Sequence, residues 1–188
     1  MHKEIVEFLQ MAGRLKRIKR AGWISWVGIE NPESVADHSY RSALIAMCIA
    51  DLKGMDAEKL MRMLLLHDIH EAIIGDYDYF AKKQIGEHEV KKREFEAIRR
   101  ILEALPEKFK QKYLSLWNEF EERKTLEAKI ARQIDQLEMI FQALEYEKEG
   151  YDKEKLDVFW KNVEEKIEDE DLKKIFRILA GKRGTSDE

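Results

Sequence analysis

The chain has 188 residues and a formal net charge of −4, and 38% of its residues are charged. This length suits one domain with a sizeable hydrophobic core, and the acidic balance argues against a dedicated nucleic-acid binder. Two prolines and nine glycines leave little material for tight β-turns, and no sustained period-two alternation is found. We therefore predict an all-α fold, a single-domain helical bundle over residues 1–188 with a flexible tail from about residue 181.

Cysteine content and hydropathy predict the compartment. The chain contains one cysteine, Cys48, so it cannot form an internal disulfide, which is typical of a reducing environment. Its longest apolar run is far too short to span a bilayer, and residues 1–4 begin a charged amphipathic helix rather than a signal peptide. These features predict a cytoplasmic protein without a membrane partner.

The first predicted helix covers residues 3–18 and carries an apolar stripe at helical spacing. Five of the seven residues 14–20 are basic. They either form a solvated face that balances the negative helix end, or place Arg20 where its guanidinium can bind a phosphate in bidentate fashion. An irregular loop follows, in which Trp23 and Trp26 either cover the core or line a small-molecule pocket.

The second predicted helix begins at Ser34 and runs to about residue 52. Ser34 has the character of an N-cap, with Asp37 three residues later in a capping box. His38 heads the inward stripe that continues through the apolar residues Ile45, Ile49 and Leu52. A lone histidine in such a position is either a satisfied core residue or a metal ligand, and residues farther along the chain decide between these interpretations.

The stretch 64–76 carries five ionisable groups within ten residues of an otherwise apolar segment. Buried imidazoles and carboxylates must be paired, hydrogen-bonded or bound to a metal. At helical spacing Glu71 is i+4 to His67 and i+3 to Asp68, so the three side chains can converge. Since imidazole nitrogen and carboxylate oxygen suit mid-row divalent metals, we predict a metal site here, with His38 as a third ligand.

The segments after this stretch are again predicted to be helical. The central helix is predicted to end at Gly75, which leaves Asp76 on the adjoining loop and a loop or short helical turn after it. Further helices are predicted over about residues 87–105, 106–120, 126–149, 152–166 and 169–180.

Asp135 interrupts an apolar row on the longest of these helices. The row consists of Ala128, Ala131, Asp135 and Met139, and its small residues would allow close helix packing. A carboxylate placed there needs a partner. Asp135 is therefore the candidate for a fourth ligand, the alternative being an ion pair with Arg132.

The order of these residues resembles the HD-domain metal-dependent phosphohydrolases, and within them the 5'-deoxynucleotidase branch. The resemblance rests on PESVADHSYR at residues 32–41, on His67-Asp68 followed by Glu71 and Gly75-Asp76, and on QIDQLEM at residues 133–139. It covers nearly the entire chain. It implies an all-α bundle, a homodimer in most relatives, that removes the 5'-phosphate from deoxyribonucleoside monophosphates by attack of a metal-activated water.

By motif match the resemblance also implies roles for individual residues. One divalent ion, such as Co²⁺ or Mn²⁺, would be held by His38, His67, Asp68 and Asp135. Glu71 and Asp76 would be the catalytic acids, and Asp76 would also face the substrate. Arg20 would contact the phosphate, and Trp23 would border the sugar.

Two departures and three alternative functions accompany the resemblance. Related chains often carry an arginine where this chain has Val27. They usually follow Gly-Asp with an aliphatic residue, a small residue and proline, where residues 77–79 of this chain are Tyr-Asp-Tyr.

The alternative functions are hydrolysis of a nucleoside triphosphate or signalling nucleotide, a non-catalytic nucleotide-binding module, and nucleic-acid binding through residues 14–20. The presence of every metal ligand and of Glu71 argues against a module that has lost catalysis.

Overall fold

The structure, a computed structural model, describes residues 2–183. Within this range it contains ten α-helices and no β-strand, which confirms the all-α prediction. The helices are α1 (His2–Ala12), α2 (Val35–Lys53), α3 (Ala57–Leu66), α4 (Glu71–Ile74), α5 (Tyr79–Ile85), α6 (Glu87–Leu102), α7 (Glu107–Glu122), α8 (Leu126–Lys148), α9 (Lys153–Glu164) and α10 (Glu170–Gly181). In this part of the chain no helix has both the length and the apolar character to cross a bilayer.

Helix α2 begins as its sequence predicts. The Ser34 side chain accepts a hydrogen bond from the Asp37 backbone N–H, and the Asp37 carboxylate accepts one from the Ser34 N–H at 2.8 Å. This reciprocal capping box satisfies two backbone donors that a helix start otherwise leaves unpaired. It fixes where α2 begins and therefore where His38, one turn later, lies.

Two apolar clusters form the core, and α3 contributes to both. The first contains Leu60 and Leu64 of α3 with residues of α2, α8, α9 and α10, and the second contains Leu66 with residues of α1, α6 and α7. His67 directly follows α3 and contacts both clusters. Its ring lies edge-on to Phe120 at 5.3 Å, and its carbonyl accepts a hydrogen bond from the Trp117 indole at 3.1 Å. The two clusters together hold this histidine in place.

The prediction of one continuous central helix is wrong. Helix α3 ends at Leu66, and residues 67–70 form turns before α4 begins. The His67 imidazole Nδ1 donates to the Leu64 carbonyl at 2.6 Å, an acceptor that in an α-helix would receive the N–H of Asp68. The chain tightens to 3₁₀-type bonds, such as Glu71 N–H to the Asp68 carbonyl at 3.0 Å. The ionisable residues 67, 68, 70 and 71 therefore lie on and beside this turn rather than along one face of a continuous helix.

The ends of the chain differ in smaller ways. Leu9 on α1 is 59% exposed, whereas Phe8 and Leu15 are buried. The first helix is also shorter than predicted, since α1 ends at Ala12 and a 3₁₀ turn follows. At the other end, Gly181 belongs to α10. The part of the predicted tail at residues 184–188 lies outside the described residues.

Candidate metal centre

Four side chains named from the sequence lie together, although they come from three parts of the chain. His38 lies on α2, His67 and Asp68 follow α3, and Asp135 lies on α8. The His38 and His67 Nε2 atoms are 3.3 Å apart. An Asp135 oxygen lies 3.0 Å from the first and 3.7 Å from the second, and an Asp68 oxygen lies 3.1 Å from His67 and 3.9 Å from His38.

The hydrogen bonds of the two imidazoles use Nδ1 and leave Nε2 of each ring to face the proposed metal position. His67 Nδ1 donates to a backbone carbonyl, and His38 Nδ1 lies in a short hydrogen bond with the Glu138 carboxylate. Each ring therefore keeps a proton on Nδ1, and Nε2, the nitrogen that faces the other ring, is the atom that would bind a metal once its own proton is lost. Donor atoms of His38, His67 and Asp135 can all lie within 4.8 Å of one another. Two imidazoles and two carboxylates are a donor set that fits a divalent metal ion.

The electrostatics of this cluster favour positive charge. Burial and the Arg20 cation act to lower the pKa of His38, but Glu138 and Asp135 outweigh them and raise this pKa to about 9. For His67, burial is likewise outweighed by Asp68 and Asp135, which raise the pKa to about 10. Buried imidazoles that hold protons this strongly lie in an environment that stabilises a cation.

Asp135 makes both contacts that the sequence left open. One oxygen faces the two imidazoles, and the other accepts a hydrogen bond from the Arg132 Nη1 at 2.9 Å. Burial acts to raise the pKa of Asp135, but Arg132 and the two histidines hold it well below its usual range. Asp135 is therefore ionised and held in a fixed orientation by Arg132.

A second group of potential ligands, Glu33, His38 and Glu138, surrounds the opposite nitrogen of His38. Its oxygens already have partners, because Glu138 accepts from Arg41 Nε at 2.7 Å and Glu33 accepts from the Trp23 indole at 2.9 Å. We interpret it as the support of the first group. A carboxylate that accepts from the far nitrogen of a ligating histidine fixes both the tautomer and the ring orientation.

Glu138 is a residue that the sequence analysis missed. It is fully buried, and Arg41 joins it to Gln142 and Glu145 across the α2–α8 interface. The sequence carried a signal, since Glu138 follows Asp135 at i+3 and shares its inward face. Only the packing of α2 against α8 shows that this acid binds a histidine 100 residues away.

A cavity of about 320 Å³ opens beside the cluster. Its walls include six residues predicted from the sequence: Arg20, Trp23, Asp68, Glu71, Asp76 and Asp135. His38 and His67 lie behind this wall with almost no exposed surface. Phe159, Asn162 and Lys166, which the sequence analysis did not single out, also line the cavity.

Arg20 is held at the cavity wall by its neighbours. Its backbone N–H donates to the Glu33 carbonyl at 3.1 Å, and its Nη1 lies 3.4 Å from an Asp68 oxygen. An Asp76 oxygen accepts from the Ala21 N–H at 2.7 Å. The loop that carries Arg20 is thereby joined to the loop after α4. The guanidinium side chain is 14% exposed, so it remains accessible to an anion in the cavity.

Glu71 is the least satisfied acid in the cavity. It is buried, and its Oε2 has no hydrogen-bond partner among the described residues. Burial, reinforced by the charges of Asp68 and Asp76, raises its pKa well above the usual range. A carboxyl group with a raised pKa beside a reactive centre is suited to accepting and returning a proton.

Trp23 both covers the core and lines the cavity, which are the two alternatives that the sequence left open. It is buried, with its ring 4.1 Å from Phe159 and 5.2 Å from Tyr146, and it also lines the cavity. Trp26 lies elsewhere, 37% exposed and 4.9 Å from Phe80. The two tryptophans therefore differ in their surroundings.

His70 faces a neighbouring cavity of about 480 Å³. Its ring lies edge-on to Trp117, its Nε2 is 3.8 Å from Glu94, and its Nδ1 has no partner among the described residues. Burial lowers its pKa to about 4, which keeps the ring neutral. Glu94 is half-buried, near His70 and Lys82.

Comparison with known proteins agrees with this geometry. A protein-family model described as "HD domain" matches residues 12–176 of this chain. A human protein named 5'-deoxynucleotidase HDDC2 is 35% identical over 98% of this chain and 88% of its own length, and a Dictyostelium discoideum protein of the same name is 39% identical over 78% of this chain and 79% of its own.

Solved structures show the same fold. A conserved hypothetical protein from Pyrococcus furiosus superposes with a TM-score of 0.77 at 34% identity, covering 94% of this chain and 99% of the other. A predicted metal-dependent phosphohydrolase from Magnetospirillum magnetotacticum gives 0.70 at 26% identity, covering 96% and 91%. With a family match over most of its length and relatives above 30% identity, this chain belongs to the HD domain family.

Proposed function

We propose that this protein is a metal-dependent phosphomonoester hydrolase that removes the 5'-phosphate from deoxyribonucleoside monophosphates. The observation that carries the proposal is a cavity that adjoins the imidazole–carboxylate cluster and is lined by Arg20 and by Glu71, a buried acid whose Oε2 has no hydrogen-bond partner among the described residues. The names of the human and Dictyostelium relatives support the substrate class.

The proposed metal ligands hold one divalent ion, Co²⁺, Mn²⁺ or a similar first-row ion. They are His38, His67, Asp68 and Asp135, whose donor atoms face a common centre. When bound, such an ion polarises a phosphoryl oxygen and lowers the pKa of a water molecule. Imidazole and carboxylate ligands accept several first-row ions.

The remaining residues carry out the proton transfers and position the substrate. Arg20 binds the phosphate oxygens and offsets their charge as the transition state forms. Glu71 takes a proton from the attacking water while the water oxygen bonds to phosphorus and the bond to the 5'-oxygen breaks. Asp76 and Trp23 both line the cavity. In this proposal Asp76 hydrogen-bonds a sugar hydroxyl or protonates the leaving 5'-oxygen, and Trp23 borders the sugar.

The structure also supports one alternative, the hydrolysis of a longer phosphate chain. The neighbouring cavity shares Asp68 and Glu71 with the first and is lined by Lys82, Lys83 and Lys91 among other basic residues. Acidic side chains offset these cations in part, since Lys91 lies 2.7 Å from Glu87. A basic cluster that the sequence analysis did not detect is therefore present, but it is largely balanced by acids.

Phosphate release from a substrate panel tests the proposal. Metal-stripped protein would receive Co²⁺, Mn²⁺, Mg²⁺ or Zn²⁺ in turn, with deoxyribonucleoside and ribonucleoside monophosphates, triphosphates and a generic phosphoester as substrates. We expect metal-dependent phosphate release from the deoxyribonucleoside monophosphates. Activity confined to triphosphates would favour the alternative function, hydrolysis of a longer phosphate chain. The absence of phosphate release from every substrate, with metal bound, would refute a hydrolase function.

We also propose that the protein is a homodimer in which the outer face of α2 contributes to the interface. Tyr40, Leu44 and Met47 follow one another at i, i+4 and i+7 on this helix and are each at least 38% exposed. The prediction that Leu52 faces inward is wrong, because this residue is 65% exposed. Exposed apolar residues that recur along one helix are typical of an interaction surface. We expect a dimer mass in sedimentation equilibrium, reduced to a monomer mass by Leu44→Lys. The matched control is Ile178→Lys on α10, also exposed, and a monomeric wild type would refute the proposal.

We further propose a cytoplasmic location and a small-molecule nucleotide, rather than a nucleic acid, as the partner. The formal charge of −4 and the single cysteine support both expectations.

A further inference from the structure

Three exposed aromatic side chains lie together, and one of them, Tyr79, lines the site cavity. The Trp26 ring lies 4.9 Å from Phe80 and 6.2 Å from Tyr79, and the Tyr79 and Phe80 rings are 5.6 Å apart and edge-on. Their exposed fractions are 37%, 50% and 58% for Trp26, Phe80 and Tyr79. We call these three residues the rim cluster. A cluster of exposed aromatic rings beside a binding cavity is typical of a contact surface.

The rim cluster is held in place by the backbone around it. The Asp78 side chain caps α5 by accepting from the Ala81 N–H at 2.7 Å, which places Tyr79 in the first turn of that helix. Trp26 comes from the π-helical turn at residues 23–27, which also carries Trp23. Both segments adjoin the loops that the bond between Ala21 and Asp76 joins. The rings are thus tied to the same framework as the catalytic candidates.

Tyr79 is the member of the rim cluster that lines the site cavity, and it also lines the neighbouring one. Along the wall of the site cavity, exposure rises from the Arg20 side chain at 14% to Tyr79 at 58%. The cavity therefore has a charged, enclosed floor and an aromatic rim. A nucleotide has the same polarity, with a charged phosphate at one end and a flat π-system at the other.

We infer that Tyr79 stacks on the nucleobase of the substrate, with Phe80 and Trp26 supporting its ring. The inference rests on the proposed function and deepens it by assigning a specificity-determining residue. Stacking uses a π-face that every base possesses, so this contact tolerates all four bases. Purines, which offer the larger face, are expected to gain more from it than pyrimidines.

Steady-state kinetics on three substrates test the inference. We would compare dAMP, dCMP and 2-deoxyribose 5-phosphate, which keeps the sugar and phosphate but lacks a base. In Tyr79→Ala we expect KM for dAMP to rise about tenfold, within the range that base–aromatic stacking supports, with a smaller rise for dCMP. The preference for dAMP over 2-deoxyribose 5-phosphate, measured as the ratio of kcat/KM values, should fall by the same factor.

Two further variants separate stacking from a general structural effect. Tyr79→Phe keeps the ring and should retain the wild-type preference for dAMP. Phe95→Ala removes an aromatic side chain on α6 that is 41% exposed and lies outside both cavity walls, and it should leave the preference unchanged.

The outcomes distinguish this inference from the proposed function. If the wild type hydrolyses deoxynucleotides but Tyr79→Ala keeps the full preference for dAMP, stacking is refuted while the function stands. If Tyr79→Ala lowers kcat on all three substrates equally, Tyr79 has a structural role and the inference is also overturned. If the wild type hydrolyses no deoxynucleotide, the proposed function itself fails.

Discussion

Replacing His67 with alanine is expected to reduce phosphate release below detection and to remove the bound metal. His67 directs its Nε2 at the proposed metal position, where it lies 3.3 Å from His38 Nε2 and 3.1 Å from an Asp68 oxygen. Without this ligand, one imidazole and two carboxylates remain. Two measurements check the prediction: metal content by elemental analysis after dialysis, and phosphate release from dAMP with added Co²⁺.

A matched control separates loss of the site from loss of the fold. His88 lies exposed on α6, so His88→Ala should keep both metal and activity. Far-ultraviolet circular dichroism of His67→Ala should still show the helical content of the wild type, because the two core clusters consist of residues other than His67 and lie on α1 to α3 and α6 to α10, among other elements. Activity that persists in a folded His67→Ala protein would refute the proposed metal ligands.

Replacing Glu71 with glutamine is expected to lower kcat by about 10²- to 10⁴-fold, the usual contribution of a positioned acid–base group. Glutamine has nearly the same shape as glutamate but cannot take a proton from water. Because Glu71 is not among the proposed ligands, the variant should retain its metal. The KM for dAMP should change little if Glu71 acts on the water rather than on the substrate.

The control for Glu71→Gln is Glu96→Gln, which changes an exposed glutamate on α6 and should leave kcat unchanged. The thermal stability of Glu71→Gln gives an independent check that the variant keeps its fold. The Glu71 carboxyl is buried, and one of its oxygens has no hydrogen-bond partner within residues 2–183, so an uncharged amide should not destabilise the fold by the loss of an ion pair. A variant that kept wild-type kcat would exclude Glu71 as the base, and one that lost its metal would place Glu71 among the ligands.

The sequence by itself determined the fold class and most helix boundaries. Caps act over a few residues, so Ser34 with Asp37 predicted the start of α2, and the confirmed positions follow from local hydrogen bonding. Apolar periodicity likewise predicted a buried row on α8, including Ala128 and Ala131. His38, His67 and Asp135 stood out because an ionisable group inside an apolar row requires a partner.

Only the tertiary structure decided how these residues meet. The break after Leu66 arises because the His67 side chain takes a carbonyl that would have continued the helix, a competition that periodicity does not reveal. The role of Glu138 depends on α2 packing against α8, which brings it to His38 across 100 residues of sequence. The rim cluster likewise joins Trp26 to Tyr79 and Phe80. Such contacts depend on the packing of distant elements, whereas caps and apolar stripes depend on neighbours along the chain.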